Sequence, residues 1–254
     1  MGIRNTMVDI HSHILWGLDD GAATREESLA MLAMAVQAGT TDIVATPHAN
    51  LRYRFDEESI GERIRELAEA TGGRPKIHRG CDFHLTFDNI QDAIEHPARY
   101  TVNGGPYLLV EFPDSLASMR PALEALLNRG MIPIMTHPER HPHLQEINAE
   151  FREWLGAGCL AQITGASLRG RFGKKAEAAA WDMVERGMAH FVASDAHGVE
   201  DRTPRLDDAF AAVVAAAGED CADRLFQRNP AAVIAGEPIH PAKTPRKAWY
   251  DFRR

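Results

Sequence analysis

The sequence predicts an α/β fold in which seven parallel strands with outer helices form one closed or nearly closed, distorted barrel. Short apolar segments alternate with helical patterns along the whole chain. The length of 254 residues matches the roughly 250 residues that one such barrel needs. Imidazoles or carboxylates also follow six of the seven strand-like segments. We therefore expect the carboxyl ends of the strands to form a ring around one site.

The strand-like segments are short apolar runs at residues 7–10, 42–46, 76–80, 107–112, 132–136, 160–163 and 190–194. An open doubly wound sheet would also fit the alternation, but it gathers its site from a few strands at one switch point. Here six strand ends contribute polar side chains. This distribution favours the barrel, in which all strand ends meet at one rim.

The segments between the strands carry helical signals. Thr24 and Glu27 form a capping box, an apolar stripe follows, and Gly39 ends the helix. Similar patterns predict helices at 57–71, 115–129, 147–157, 174–187, 205–217 and 221–235. No linker or repeat divides the chain. We therefore expect a single domain over residues 1–240 and a basic, aromatic tail over 241–254.

Charge and cysteine content exclude several classes of protein. The formal net charge is −8, and because the tail contributes +4, the body carries −12. This balance argues against a nucleic-acid-binding face. No apolar stretch approaches the roughly 20 residues of a membrane span, so only the tail is a candidate for membrane contact. Three scattered cysteines predict a reducing, cytoplasmic location.

The polar residues at the strand ends are those that bind metal ions. His11 and His13 are two residues apart in an extended segment and project to the same side, and Asp195 and His197 repeat this spacing. The full candidate set comprises nine side chains: His11, His13, Asp20, His48, Asp82, Glu111, His137, Asp195 and His197. Nine ligands suffice for three divalent ions. Nitrogen and oxygen donors without thiolate suit Mn, Fe or Zn.

Two arginines follow ligands closely, with Arg140 three residues after His137 and Arg202 five after His197. A guanidinium at this rim can hold two phosphate oxygens, although a surface ion pair would also explain each arginine. No cysteine precedes an arginine by six positions, and neither a G-x-S-x-G elbow nor a P-loop motif is present. These features favour metal-dependent hydrolysis of a phosphomonoester, with His197 or His84 available to protonate a poor leaving group.

The motifs resemble those of the PHP (polymerase and histidinol phosphatase) superfamily. They are DIHSHIL at 9–15, DDG at 19–21, ATPH at 45–48, HPER at 137–140 and ASDAH at 193–197. With QIT at 162–164, FGK at 172–174 and NP at 229–230, the chain more closely resembles the manganese-dependent protein-tyrosine phosphatases of bacterial capsule and exopolysaccharide operons. The resemblance covers residues 7–235.

The resemblance implies three metal sites in a PHP-type barrel. The first is held by His11, His13, Asp82 and Asp195, the second by Asp82, Glu111 and His137, and the third by Asp20, His48 and His197. The family usually has glutamate where this chain has Asp82. The resemblance also implies three Mn ions and a phosphotyrosine protein substrate, namely the tail of a bacterial tyrosine kinase that controls polysaccharide export.

Three other functions remain open at this level. A small-molecule phosphatase of the histidinol-phosphatase type would use the same core residues. A metal-dependent amidohydrolase shares the barrel and the first histidine pair, but it commonly bridges its ions with a carboxylated lysine, and no strand end here presents one. A binding module with a vestigial metal site fits poorly, because every ligand position holds a competent side chain.

Overall fold

The computed structural model describes residues 6–113 and 119–239, so the predicted tail at 241–254 lies outside the described residues. Short parallel strands alternate with helices through these ranges, which confirms the α/β class. The strands are β1 (Met7–Ser12), β2 (Thr40–Ala45), β3 (His48–Ala49), β4 (Lys76–Arg79), β5 (Asp82–His84), β6 (Tyr107–Glu111), β7 (Ile132–Thr136), β8 (Leu160–Thr164) and β9 (Phe191–Ala193).

Most helices match the predicted segments. They are α1 (Arg25–Gln37), α2 (Glu57–Ala70), α3 (Phe87–Glu95), α4 (Pro97–Tyr100), α5 (Arg120–Asn128), α6 (Ala149–Gly156), α7 (Lys174–Glu185), α8 (Asp207–Ala217), α9 (Glu219–Asp223) and α10 (Asn229–Ala235). The sequence analysis missed α3 and α4. The helix predicted at 221–235 is interrupted by one π-helical turn at Arg224–Arg228. The start predicted for α5, at residues 115–118, lies outside the described residues.

The closed seven-stranded barrel is not confirmed. The strands form one sheet of three in the order β1-β2-β4 and one of six in the order β3-β5-β6-β7-β8-β9, and neither sheet is closed. The second and third predicted strands match β2 and β4, and each is followed by a short strand that was not predicted, β3 after Thr46-Pro47 and β5 after Gly80-Cys81. Pro47 has no N–H to continue a strand ladder. A side chain at Gly80 would lie 2.7 Å from Val44 Cγ1, so the chain passes closely there.

The two sheets nevertheless bring all strands around one centre. β2 and β4 pair in the first sheet, while β3 and β5, their continuations, pair in the second. An isolated parallel bridge between Ser12 and Ala196 joins the end of β1 to the segment after β9. The carboxyl ends of the strands therefore point to one common rim, as the sequence analysis predicts.

Apolar packing on both sides of the strands supports this rim. A compact inner cluster includes Ile10, Leu109, Ile134 and Phe191 from four different strands, all with no exposed surface. The larger cluster packs the strands against the surrounding helices. No helix in the described ranges is both long and apolar enough to cross a membrane.

Candidate metal centre

The first strand delivers two histidines to the rim because its residues alternate in direction. Ser12 turns toward β2, where its hydroxyl donates to the Val44 carbonyl at 2.7 Å. His11 and His13 on either side of it share a face, and their Nε2 atoms lie 3.3 Å apart. Both rings are almost fully buried. The two imidazoles therefore present a pair of nitrogen donors to a single point.

All nine candidate ligands meet at this rim. His11 Nε2 lies 3.4 Å from Asp82 Oδ2 and 3.4 Å from Asp195 Oδ1. His48 Nδ1 lies 3.2 Å from Asp82 Oδ2 and 3.7 Å from Glu111 Oε2. His137 Nε2 lies 3.8 Å from Glu111 Oε1. Asp20 Oδ1 lies 3.3 Å from His48 Nε2 and 3.6 Å from His197 Nε2.

Three groups of donors are close enough for each to hold a cation. They are His11, His13 and Asp195; His48, Asp82 and Glu111; and His13, Asp20, His48 and His197. This grouping differs in detail from the one that the resemblance implies. His13 and His48 each belong to two groups, while His137 belongs to none of the three and lies 3.8 Å from Glu111.

Exposure rises from one side of the centre to the other. Asp82 and Asp195 are about 1% exposed, whereas the Asp20 side chain is 50% exposed. The buried carboxylates form the floor, and Asp20 lies at the open edge. The centre is therefore open to solvent at Asp20.

Two side chains that orient the histidines were missed by the sequence analysis. Asp19 Oδ2 lies 2.7 Å from His13 Nδ1 and also accepts the backbone N–H of His48 at 3.0 Å. Gln162 Oε1 lies 2.8 Å from His11 Nδ1. Each partner fixes the ring so that Nε2 faces the centre. Asp19 had a signal in the Asp19-Asp20 doublet, but Gln162 lies on the one strand whose end carries neither an imidazole nor a carboxylate.

The electrostatics of the centre are those of an anionic pocket. Burial alone would lower the pKa of His13, but hydrogen bonds to Asp19 and Asp195 raise it to about 10. Burial would raise the pKa of Asp82, yet His11 and His48 hold it well below its usual value. The buried carboxylates thus favour positive charge at this centre, which a divalent cation would supply. By contrast, burial lowers the pKa of His197 to about 2, leaving a neutral ring.

Several buried donor atoms fit a metal ion. Among the described residues, no hydrogen-bond partner is found for either oxygen of Asp82, for His48 Nδ1 or for His197 Nε2. A buried polar atom without a well-formed hydrogen bond costs about 1–3 kcal/mol, and a bound cation would compensate this cost at several of these atoms at once. Oxygen and imidazole donors in such a group suit a divalent cation.

Arg140 and Arg202 both contact the far side of Asp195. Arg140 Nη1 and Arg202 Nη2 each lie 2.5 Å from Asp195 Oδ2, while Oδ1 faces the histidines. The Arg140 guanidinium also lies 4.2 Å from the centre of the Phe172 ring. Arg202 Nε is buried and has no hydrogen-bond partner in the described part of the chain, which leaves a donor for an anion.

Three residues of the site adopt left-handed backbone conformations that are rare outside glycine. The φ angles are 36° for His137, 50° for Asp195 and 48° for Arg202. Such conformations each cost on the order of 1–3 kcal/mol and cluster at functional sites. The surrounding hydrogen bonds, among them Asp195 N–H to His11 O at 2.8 Å, hold the strained residues in place.

Comparison with known proteins assigns this chain to a family. The family model for capsular polysaccharide synthesis proteins of the CpsB/CapC type matches residues 7–235. The chain belongs to the CpsB/CapC family. The resemblance drawn from the sequence motifs is thereby confirmed, and the matched range includes every candidate ligand and both arginines.

Relatives of this CpsB/CapC chain carry consistent names. The tyrosine-protein phosphatase CpsB of Streptococcus pneumoniae is 32% identical over 244 residues, covering 92% of this chain and 100% of the relative. The tyrosine-protein phosphatase YwqE of Bacillus subtilis (strain 168) is 33% identical over 212 residues, covering 80% of this chain and 82% of the relative.

Solved structures agree with this assignment. A crystal structure from work on YwqE of Bacillus subtilis and CpsB of Streptococcus pneumoniae, described as unique metal-dependent tyrosine phosphatases, superimposes with a TM-score of 0.86. It is 30% identical and covers 94% of this chain and 98% of its own. A β-aspartyl dipeptidase of Fervidobacterium islandicum AW-1 aligns with a TM-score of 0.57 at 14% identity, over 94% and 78% of the two chains. This second likeness extends to the fold alone.

Proposed function

We propose that this CpsB/CapC chain is a metal-dependent protein-tyrosine phosphatase that hydrolyses phosphotyrosine without a covalent enzyme intermediate. The observation that carries the proposal is that nine candidate metal ligands and two arginines meet at one rim. The relatives of the chain are named tyrosine-protein phosphatases. Burial raises the pKa of Cys159 to about 12 and that of Cys81 well above its usual value, so neither thiol supports a cysteine-nucleophile mechanism.

The donor groups support a set of three divalent ions, with Mn first among the candidates because all donors are imidazole nitrogens or carboxylate oxygens. Bound ions would activate water and neutralise charge on the phosphoryl oxygens. His11, His13 and Asp195 would hold one ion, with Asp82, Glu111 and His137 completing the adjacent site and Asp20, His48 and His197 the outermost one.

The two arginines would orient the phosphoryl group. Asp195 fixes both guanidinium groups through Oδ2, so their remaining N–H donors are preorganised beside the centre. The unpaired Nε of Arg202 is one donor suited to a phosphoryl oxygen. The neutral ring of His197 would serve as a ligand, and a phenolate leaving group needs little help from an acid.

In the cell, we infer that the substrate is the tyrosine-phosphorylated tail of a bacterial kinase and that its dephosphorylation regulates capsular or exopolysaccharide synthesis. The inference rests on the capsular polysaccharide family model and on the named relatives. Purified kinase tail should lose phosphate when the chain is added.

Comparing substrates tests the proposed function. The metal-loaded protein should hydrolyse a phosphotyrosine peptide with a kcat/KM at least about tenfold above that for histidinol phosphate, and chelation with EDTA should abolish both activities. A preference for histidinol phosphate would instead identify a small-molecule phosphatase. Hydrolysis of a dihydropyrimidine amide bond, without phosphatase activity, would identify an amidohydrolase.

A further inference from the structure

Two large apolar side chains are exposed at the rim that carries the metal centre. Leu51 is 90% exposed and Phe87 is 78% exposed, and within the described ranges only Val36, at 42%, is comparable. Leu51 follows β3 and Phe87 follows β5, so both lie beyond the carboxyl ends of neighbouring strands. Val36 lies near the end of α1, just before β2 begins, and hence at the opposite end of the fold.

The two loops are held together by specific hydrogen bonds. β3 and β5 pair in parallel, with His48 opposite Asp82. Beyond them, the Asn89 side-chain amide donates to the Ala49 carbonyl at 2.7 Å and to the His84 carbonyl at 2.9 Å. One side chain thus fixes the Leu51 loop against the start of α3, which carries Phe87. The loops that carry Leu51 and Phe87 are therefore fixed relative to each other by hydrogen bonds.

This surface is continuous with the metal centre. The Tyr53 ring stacks on the His48 ring with centroids 6.0 Å apart and planes 12° apart. The Arg52 guanidinium lies 5.0 Å from the centre of the Tyr53 ring. Asn50 Oδ1 accepts the backbone N–H groups of both residues at 2.9 Å and fixes the turn. We call Leu51, Arg52, Tyr53 and Phe87 the rim patch.

We propose that the rim patch binds the residues that flank phosphotyrosine in the protein substrate, with an apolar side chain against Leu51 and Phe87 and an acidic side chain at Arg52. This proposal rests on the proposed phosphatase function. A phosphopeptide is anionic, and the loop at 51–54 offers two exposed arginines and no acid in a chain of net charge −8. An exposed apolar pair beside a reaction centre provides binding area that a small phosphoester cannot use.

The test uses the full metal-loaded chain with Leu51 and Phe87 both changed to serine, and Val36→Ser as the matched control. Both rim side chains are exposed, so their replacement should leave folding and metal content unchanged. Substrates are p-nitrophenyl phosphate and two phosphotyrosine peptides, one with leucine and glutamate beside the phosphotyrosine and one with serine at those positions.

We expect the wild type to favour the leucine and glutamate peptide through a lower KM. In the double variant the KM for the leucine and glutamate peptide should rise about tenfold, because two large apolar contacts are lost. The KM for p-nitrophenyl phosphate should not change, and the Val36→Ser control should keep the wild-type KM for every substrate. Arg52→Ser should reduce the preference for the leucine and glutamate peptide only in part, because Leu51 and Phe87 remain to contact the leucine.

Equal KM values for both peptides in wild type and double variant would overturn the proposal. So would an equal loss on all three substrates, which would mean a general effect on the centre, or a change in oligomeric state, which would mark the patch as a contact between copies of the chain. If the wild type hydrolyses p-nitrophenyl phosphate but neither peptide, the proposed protein phosphatase function itself fails, and the rim patch proposal fails with it.

Discussion

Replacing Arg140 or Arg202 with alanine should slow catalysis with little change in folding or metal content. Each guanidinium lies 2.5 Å from Asp195 Oδ2, whereas Asp195 Oδ1 lies 3.4 Å from Nε2 of the candidate ligand His11. Loss of one preorganised charged donor costs about 3–4 kcal/mol in the transition state, or roughly 10²–10³ in kcat. Loss of its hydrogen bond to a buried carboxylate should lower the free energy of unfolding by only about 2 kcal/mol.

Both arginines share one oxygen, so each remaining guanidinium still holds Asp195 in a single variant. The double alanine variant, in which neither guanidinium holds Asp195, should therefore lose more than the product of the two single effects. Lysine at either position should rescue only in part, because it lacks the planar fork. Arg120→Ala is the matched control, since that arginine is 61% exposed and pairs with Glu124 on α5.

The assay is kcat on a phosphotyrosine peptide at saturating metal, with bound metal measured on the same samples and inhibition by inorganic phosphate measured in parallel. Phosphate should bind the alanine variants more weakly than the wild type. If both variants turn over the peptide at the wild-type rate, the arginines are structural partners of Asp195 and have no role in phosphate binding.

Three further results are expected. Changing His11 and His13 to alanine should abolish turnover and lower metal content, and full activity in that variant would contradict the assigned ligands. Serine at all three cysteines should leave most activity, whereas inactivation by a thiol reagent with metals still bound would oppose a water-based mechanism. Burial lowers the pKa of His190 from 6.5 to about 4. As the pH falls, the His190 imidazole is therefore protonated in the unfolded chain before it is protonated in the folded one. The stabilisation of the folded state that is present above pH 6.5 is lost progressively down to about pH 4. The free energy of unfolding should fall by at most about 3 kcal/mol over this range. Urea unfolding at pH 7.5 and pH 5 measures the difference, which should be smaller in His190→Gln than in the wild type.

The strand positions could be predicted because buried parallel strands carry continuous apolar runs. The interruptions at Pro47 and Gly80 could not, since each depends on how two neighbouring strands pass one another. Helix α3 had a readable signal in Thr86, whose hydroxyl accepts the backbone N–H of Asn89 at 3.2 Å. The helix is only nine residues long, so its apolar periodicity is too short to distinguish it from a loop.

The candidate ligands could be named from the sequence because each follows a strand, and the strand ends share one rim. Their partners could not all be named. The contact of Gln162 with His11 spans 151 positions of sequence, and that of Arg140 with Asp195 spans 55. The side-chain rotamers also decide which donors can bind the same cation. His13, for example, is close enough to belong to two of the donor groups.

The central claim is that a cluster of divalent ions at this rim hydrolyses phosphotyrosine. Its most direct test is a titration of the metal-free protein with Mn, in which bound ions per chain and phosphate released from a phosphotyrosine peptide are measured on the same samples. The three donor groups predict that activity is absent without metal and reaches its maximum as about three ions bind per chain. Full turnover in metal-free protein, or at a single ion per chain, would contradict the account.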